Sequence, residues 1–177
     1  MADILVVRQL ALADMKTKGS DSVAARYLGL MRRVTKNVPP EADVDDMVRF
    51  IAGSVPNGFW IFGGFLRGEF EPEAVPGLLV SVASVHIIPH AWTKVAWIED
   101  VATFAEHEGR GYSTQVIETA EKFIAEKFGG QSLYWQRVSR EMLTCGAHNR
   151  EFYEHRGFSV RNECVMQKPV VRAVSDP

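Results

Sequence analysis

The feature that most limits how this chain can fold is a strand-like run that feeds through a glycine-bearing turn into an amphipathic helix. Residues 95–104 are rich in branched side chains and read as a strand. The turn Glu106-His-Glu-Gly-Arg-Gly-Tyr-Ser113 follows. Val116, Ile117, Ala120, Phe123, Ile124 and Phe128 then recur on one helical face, with Glu118, Glu121, Lys122 and Glu126 largely opposite. Gly129-Gly130 closes that helix as a C-cap signal. A helix with one apolar stripe, entered straight from a strand, buries the stripe against a sheet.

The remaining segments supply the sheet. Residues 4–9, 59–67 and 78–88 read as strands, the last two joined by the acidic, proline-bearing stretch 68–77 as a hairpin loop. Residues 89–94 read as a further loop, 132–138 as a strand and 158–170 as one or two final strands. Helical spacing covers 22–34, with Tyr27, Leu28, Leu30, Met31 and Val34 as its apolar set, and Pro39-Pro40 stops it. Residues 43–54 form a second helix, whose first-turn acids Asp43, Asp45 and Asp46 favour the dipole. A short helix over 148–156 is closed by Gly157. The order predicts an α/β (α+β) protein, with one domain over residues 1–170 and a loose tail over 171–177.

Composition narrows the partners. The net charge is -2 and no basic stripe neutralises a row of phosphates, so nucleic acid is not an expected partner. Neither of the two cysteines, Cys145 and Cys164, sits in a metal-binding spacing, and the five histidines show no ligand pairs, so no metal is expected. Both cysteines read as buried free thiols in a reducing compartment. No signal peptide and no bilayer-spanning run is evident, which leads to an intracellular, cytoplasmic expectation.

The loop Glu108, Gly109, Arg110, Gly111, Tyr112 and Ser113 opens a helix where backbone N–H groups stand free and the dipole is positive. Glycines there let a diphosphate approach the backbone, although two glycines also suit a plain turn. Context decides between these readings. Phe152, Tyr153, Gly157 and Phe158 match the form Phe-Tyr-x-x-x-Gly-Phe. Gly111 matches an Arg/Gln-x-x-Gly-x-Gly/Ala loop that departs at Glu108 and Ser113. In this order and spacing, the chain resembles the GNAT superfamily of acyl-CoA N-acyltransferases. The run Leu143-Thr-Cys-Gly-Ala-His-Asn149-Arg-Glu-Phe-Tyr153 is similar to the signature of eukaryotic-type glucosamine 6-phosphate N-acetyltransferases. Glu99-Asp100, Glu163-Cys-Val-Met166 and Val7-Arg8-Gln9-Leu10 with Asp14 fit the same branch.

The resemblance implies a mixed, mostly antiparallel sheet with helices on both faces, splayed near residues 101–104 and 134–138 so that pantetheine lies between two strands. It implies acetyl-CoA as co-substrate, held by Val101, Ala102 and Thr103, by the 108–113 loop and by Asn149 and Tyr153. The acceptor is a small amine, with an amino sugar phosphate as the leading expectation and UDP-GlcNAc synthesis as the pathway. A homodimer is implied, its C-terminal strands reaching toward the partner's site. Tyr153 is implied to donate a proton to the departing thiolate, a role a phenol can fill.

Glu99 and Asp100 are implied to bind the amine and collect its proton. As neighbours on a strand they are expected to point to opposite faces. Thr144 stands where the branch has an acidic residue, so either its backbone carbonyl orients the amine or the acceptor differs. Asn149 either bonds the pantetheine arm or caps the short helix. Lys94, Arg140 and Arg156 are candidates for a sugar phosphate, while His86, His90, His107, His148 and His155 read as surface or packing residues. Two alternatives stay open. One is a GNAT enzyme for another amine (polyamine, small amine or protein amine), and the other is a non-catalytic acyl-CoA-binding module.

Overall fold

A computed structural model describes residues 3–16, 19–35, 38–68, 77–90, 92–129, 137–145 and 147–160. The chain divides into two units, Met1–Leu143 and Thr144–Pro177. The expected strand over 132–136, the end strands past 160, the expected boundary at 170 and Cys164 lie outside the described residues.

The first unit is built on a five-stranded sheet in the order β1-β2-β3-β4-β5. Its strands are β1 (Asp3–Gln9), β2 (Phe59–Gly68), β3 (Leu78–His90), β4 (Thr93–Thr103) and β5 (Val138–Met142). The first four pair antiparallel and β5 joins β4 in parallel. The expected loop at 89–94 is far shorter: Pro89 pairs with Lys94 and His90 with Thr93, so the hairpin zips almost to its tip. Likewise β5 does not end at Val138 but begins there.

The helices cover both faces. On one lie α1 (Val23–Val34) and α2 (Val44–Ser54). Ser22 caps α1, its side chain accepting from the Ala25 N–H, and Asp43 and Asp46 form a reciprocal capping box on α2. Tyr27, Leu30 and Met31 of α1 and Ile51 of α2 bury themselves against Phe59, Ile61, Leu79 and Val82 of the sheet. Alternate residues of β2 turn the other way, and Trp60 and Phe62 meet Phe123 of α3 (Tyr112–Ile124) at ring separations of 5.5 and 5.2 Å. The last turn of that helix widens into a π-type segment, Ala125–Gly129, that buries Phe128. Arg8 of β1 forks onto both oxygens of Asp14 at 2.8 Å, which holds the Asp14 carboxyl below its usual pKa.

The second unit holds the short helix α4 (Arg150–Glu154), closed by Gly157 at φ 83°. No helix among the described residues is long and apolar enough to cross a membrane.

Candidate active site

The site begins with an irregularity in β4. Ser84 pairs with Glu99 and Val82 with Ala102, so Ala83 alone faces two residues, Asp100 and Val101. This is a β-bulge, and Asp100 takes the strain at φ 53°, a left-handed conformation that Asp tolerates better than most residues. The bulge overturns the expectation that Glu99 and Asp100 point to opposite faces. The Ser84 hydroxyl donates to Asp100 Oδ2 at 2.9 Å, and His86 Nε2 lies 3.6 Å from Glu99 Oε2. Ser84 and His86 are two positions apart on β3 and share a face, so both carboxylates turn toward α1 and α2. The extra residue cancels the alternation that an unbroken strand would impose.

Asp100 opens there onto a cavity of about 480 Å³. Tyr27 and Met31 of α1 lie deep in it, Met47 and Phe50 of α2 supply apolar wall, and Val38 and Glu41 come from the connection between the helices. Arg32 holds that connection by donating to the carbonyls of Ala42 at 2.7 Å and Pro40 at 3.4 Å. Tyr27 is only 2% exposed, and its hydroxyl has no hydrogen-bond partner among the described residues. Burial first, and the Asp100 charge second, push its pKa well above the ordinary phenol value. Among the described residues no cation stands beside Asp100, and no Lys or Arg lines the cavity.

On the other edge of β4 the backbone is open. β5 pairs only with Lys94, Val95, Ala96 and Trp97. The Phe104 N–H donates to Val80 O on β3, so by alternation the backbone groups of Thr103 and Val101 face away from β3. Nothing among the described residues pairs with them as a strand. The expected splay at 101–104 is met only in its open edge: β4 runs on past Met142, where β5 ends still paired to Trp97. Its expected counterpart is corrected: Val138 is zipped to Lys94, because β5 starts there, and Tyr134 is outside the described residues.

The glycine loop lies at the end of β4. Gly109 and Gly111 both adopt left-handed backbone, φ 73° and 75°, and a Cβ at either would meet nothing within 4 Å. They are needed for the turn, and they leave the space in front of it open. Gly111 heads α3 without any side-chain cap, so Tyr112 and Ser113 begin a helix whose first N–H groups are not covered by a capping side chain. Glu108, awkward beside a diphosphate, is drawn to Arg33 of α1 at 3.0 Å, and Arg110 is exposed. His107 packs its ring 6.3 Å from that of Tyr112.

The second unit carries the other expected residues. Tyr153 sits on α4 with its ring edge-on to Phe152 and Phe158, at 4.9 and 6.0 Å. Burial, and after it Cys145, raise the pKa of its hydroxyl, and Arg156 partly offsets this. Asn149 is exposed at the head of α4, and its side chain makes no capping hydrogen bond, which leaves out the capping role. Thr144 is exposed. Cys145 is a free thiol as expected, but exposed rather than buried, since it follows the end of β5 in a stretch with no regular structure. Arg156, a phosphate candidate, instead stacks 3.6 Å over the Phe152 ring, and Lys94 lies 5.4 Å over Phe128.

The family model for "Acetyltransferase (GNAT) family" matches residues 31–158, well over half of the chain. The chain belongs to the GNAT acetyltransferase family. It is therefore an N-acetyltransferase that uses acetyl-CoA, in a GNAT fold whose mixed sheet is flanked by helices. No curated protein sequence matches this acetyltransferase. Solved structures do. A Trypanosoma brucei acetyltransferase aligns with TM-score 0.67 at 18% identity, over 94% of this chain and 100% of its own. An aminoglycoside N-acetyltransferase in complex with CoA aligns with TM-score 0.66 at 11% identity, over 96% and 97%. Glucosamine-6-phosphate N-acetyltransferase from Arabidopsis thaliana aligns with TM-score 0.65 at 18% identity, over 93% and 98%. These likenesses bear on the fold of the acetyltransferase and leave its acceptor open.

Several residues of this GNAT site do not announce themselves in the sequence. Tyr27 and Met31 lie at helical spacing that suits plain core packing, and Glu41 is one acid in a proline-rich connection. Ser84 and Arg33 carry no local signal at all, because each acts on a residue far away in the chain.

Proposed function

We propose that this acetyltransferase binds a primary amine as its ammonium beside Asp100 and acetylates it by direct attack on the thioester. The observation that carries this reading is the bulged, half-buried Asp100 carboxylate, aimed into a cavity that holds no cation among the described residues. Asp100, directly or through a water, takes the proton the ammonium must lose before its nitrogen can attack. The amine nitrogen bonds to the thioester carbon, and the oxyanion that forms is met by N–H groups on the open edge of β4 near Val101 and Thr103. As the tetrahedral centre collapses, the C–S bond breaks and the thiolate takes a proton, a role that the Phe152-Tyr153 motif assigns to Tyr153. The products are the N-acetyl amine and free CoA: the first amine proton leaves through Asp100 to solvent, and the second, lost from the nitrogen after attack, returns through solvent to the Tyr153 phenolate. Gly109, Gly111 and the start of α3 offer N–H groups to the diphosphate, Val101, Ala102 and Thr103 line the pantetheine arm, and Asn149 is free to bond it. The Glu99 carboxylate lies on the same face, 3.6 Å from His86 Nε2.

Glucosamine 6-phosphate is the acceptor supported by the run from Leu143 to Tyr153, with a homodimer and UDP-GlcNAc synthesis following from that reading. Against it stands a cavity lined by Asp100, Glu41 and Asp46 and by no basic residue among those described. The amine-at-Asp100 reading is independent of this choice. It is tested by thiol release from acetyl-CoA with Asp100→Asn. A kcat lowered on the order of a hundredfold or more, with CoA still bound, is the expected result. A kcat equal to that of the unaltered protein, with chemistry rate-limiting, removes Asp100 from the mechanism.

A further inference from the structure

The cavity carries negative charge at two depths with apolar wall between them. At its floor are Asp100, half-buried, and Tyr27, a buried residue whose hydroxyl makes no hydrogen bond among the described residues. Met31, Val38 and Met47 add apolar lining, and Phe50, 59% exposed, extends the apolar wall to the mouth. At the rim stand Glu41 and Asp46, both exposed. Asp46 is already engaged by the Asp43 N–H and by Arg49, so part of its charge is answered. Glu41 has no ion-pair partner among the described residues.

A ligand complementary to this surface has an ammonium at one end, a stretch of methylenes, and a second cation at the other. The floor cation is answered by the Asp100 charge and by the lone pair of the Tyr27 oxygen. The spacer removes the apolar wall from water. The outer cation stays hydrated beside Glu41, where an exposed ion pair is weak yet discriminates by sign. A phosphate in the outer position would meet Glu41 and Asp46, and the cation at that rim among the described residues, Arg49, is already paired to Asp46. Arg32 and Arg33, both near the end of α1, are already engaged, Arg32 by the Pro40 and Ala42 carbonyls that flank Glu41 and Arg33 by Glu108. The volume of about 480 Å³ lies in the range of about 300–1,000 Å³ usual for small-molecule sites.

We infer that the acceptor is a linear di- or polyamine, its reacting ammonium at Asp100 and its second cation at Glu41. This rests on the reading that the chain acetylates an amine held by Asp100. The deciding experiment measures thiol release from acetyl-CoA with butylamine, 1,4-diaminobutane, spermidine, glucosamine and glucosamine 6-phosphate. Diamine and triamine are expected to exceed butylamine in kcat/KM by at least about fivefold, and Glu41→Gln to narrow that ratio about two- to fivefold. Glu41→Lys is expected to invert it, with glucosamine 6-phosphate gaining on spermidine. Equal turnover of butylamine and diaminobutane, or preference for glucosamine 6-phosphate, overturns the polyamine assignment while leaving acetylation at Asp100 standing. Release of thiol with none of the amines overturns the underlying reading and this one with it.

Discussion

Arg33, near the end of α1, holds Glu108 at 3.0 Å, which ties the first helix to the loop that opens α3. The pair turns a carboxylate away from the place where the diphosphate is proposed to bind. Both side chains are substantially exposed, so the pair contributes at most about 1 kcal/mol to stability. Its larger effect is expected on the cofactor. Arg33→Ala releases the Glu108 charge and should raise the Kd for acetyl-CoA several-fold, while Glu108→Gln in the same protein should restore it. Calorimetric titration of both variants checks this, and an unrescued double variant would mean that Arg33 acts by another route.

Tyr153 is expected to matter for kcat more than for binding. Burial keeps its hydroxyl protonated beyond the ordinary phenol range, which suits a group that must arrive at the thiolate carrying a proton. Tyr153→Phe keeps the ring contacts with Phe152 and Phe158 and removes only the hydroxyl. The expected result is a fall in kcat of about ten- to a thousand-fold with the KM for acetyl-CoA little changed. A matching rise in KM with constant kcat would assign the hydroxyl to binding instead.

Glu141 on β5 gives the protein a dependence of stability on pH. Burial first, and the nearby Glu121 second, raise its pKa from 4.5 to about 7. The folded state thus keeps a proton that the unfolded chain gives up. Stability from this group is complete below about pH 4.5, declines as pH rises, and is gone above about 7. Glu141→Gln should therefore leave the melting temperature unchanged near pH 4 and raise it by roughly 2–4 °C at pH 8, for a discounted effect of about 1 kcal/mol. Thermal denaturation at the two pH values decides the matter, and an equal shift at both would assign the effect to packing.

Ser22 makes a cleaner stability probe, since it lies away from the proposed chemistry. Its side chain accepts the Ala25 N–H at 3.2 Å and caps α1. Ser22→Ala should cost about 1 kcal/mol, or roughly 2–4 °C in melting temperature, with kcat/KM retained. A large loss of activity without a loss of stability would show that the start of α1 shapes the cavity.

Much of this architecture is legible in the sequence because it is local. The spacing of Val116, Ile117, Ala120 and Ile124 predicts α3 and its buried face, and all four are buried. Asp43 with Asp46 marks the start of α2, and the pair of prolines marks the end of α1. Each of these signals depends on residues a few positions apart, whose preferences act within one turn. The glycine loop is legible for the same reason, as a left-handed turn is a property of Gly109 and Gly111 themselves. The tip of the β3–β4 hairpin and the start of β5 are less legible, because Pro89 and the residues after Val138 pair only through another strand.

The amino-acid sequence by itself determined the class of sheet and helices, the glycine loop and the family, since motif and periodicity are written in neighbouring residues. Tertiary structure alone decided where Asp100 points. Nothing between Ile98 and Phe104 reveals a bulge, because it exists only as one residue too many against β3. That single offset places Asp100 on the face of Glu99, over Ser84 and beside Tyr27. The charge pattern of the cavity likewise joins Tyr27, Glu41 and Asp100, which are distant in the chain and meet only when α1, its connection to α2 and β4 pack together. Packing is a long-range balance of burial and pairing, and no local preference encodes it.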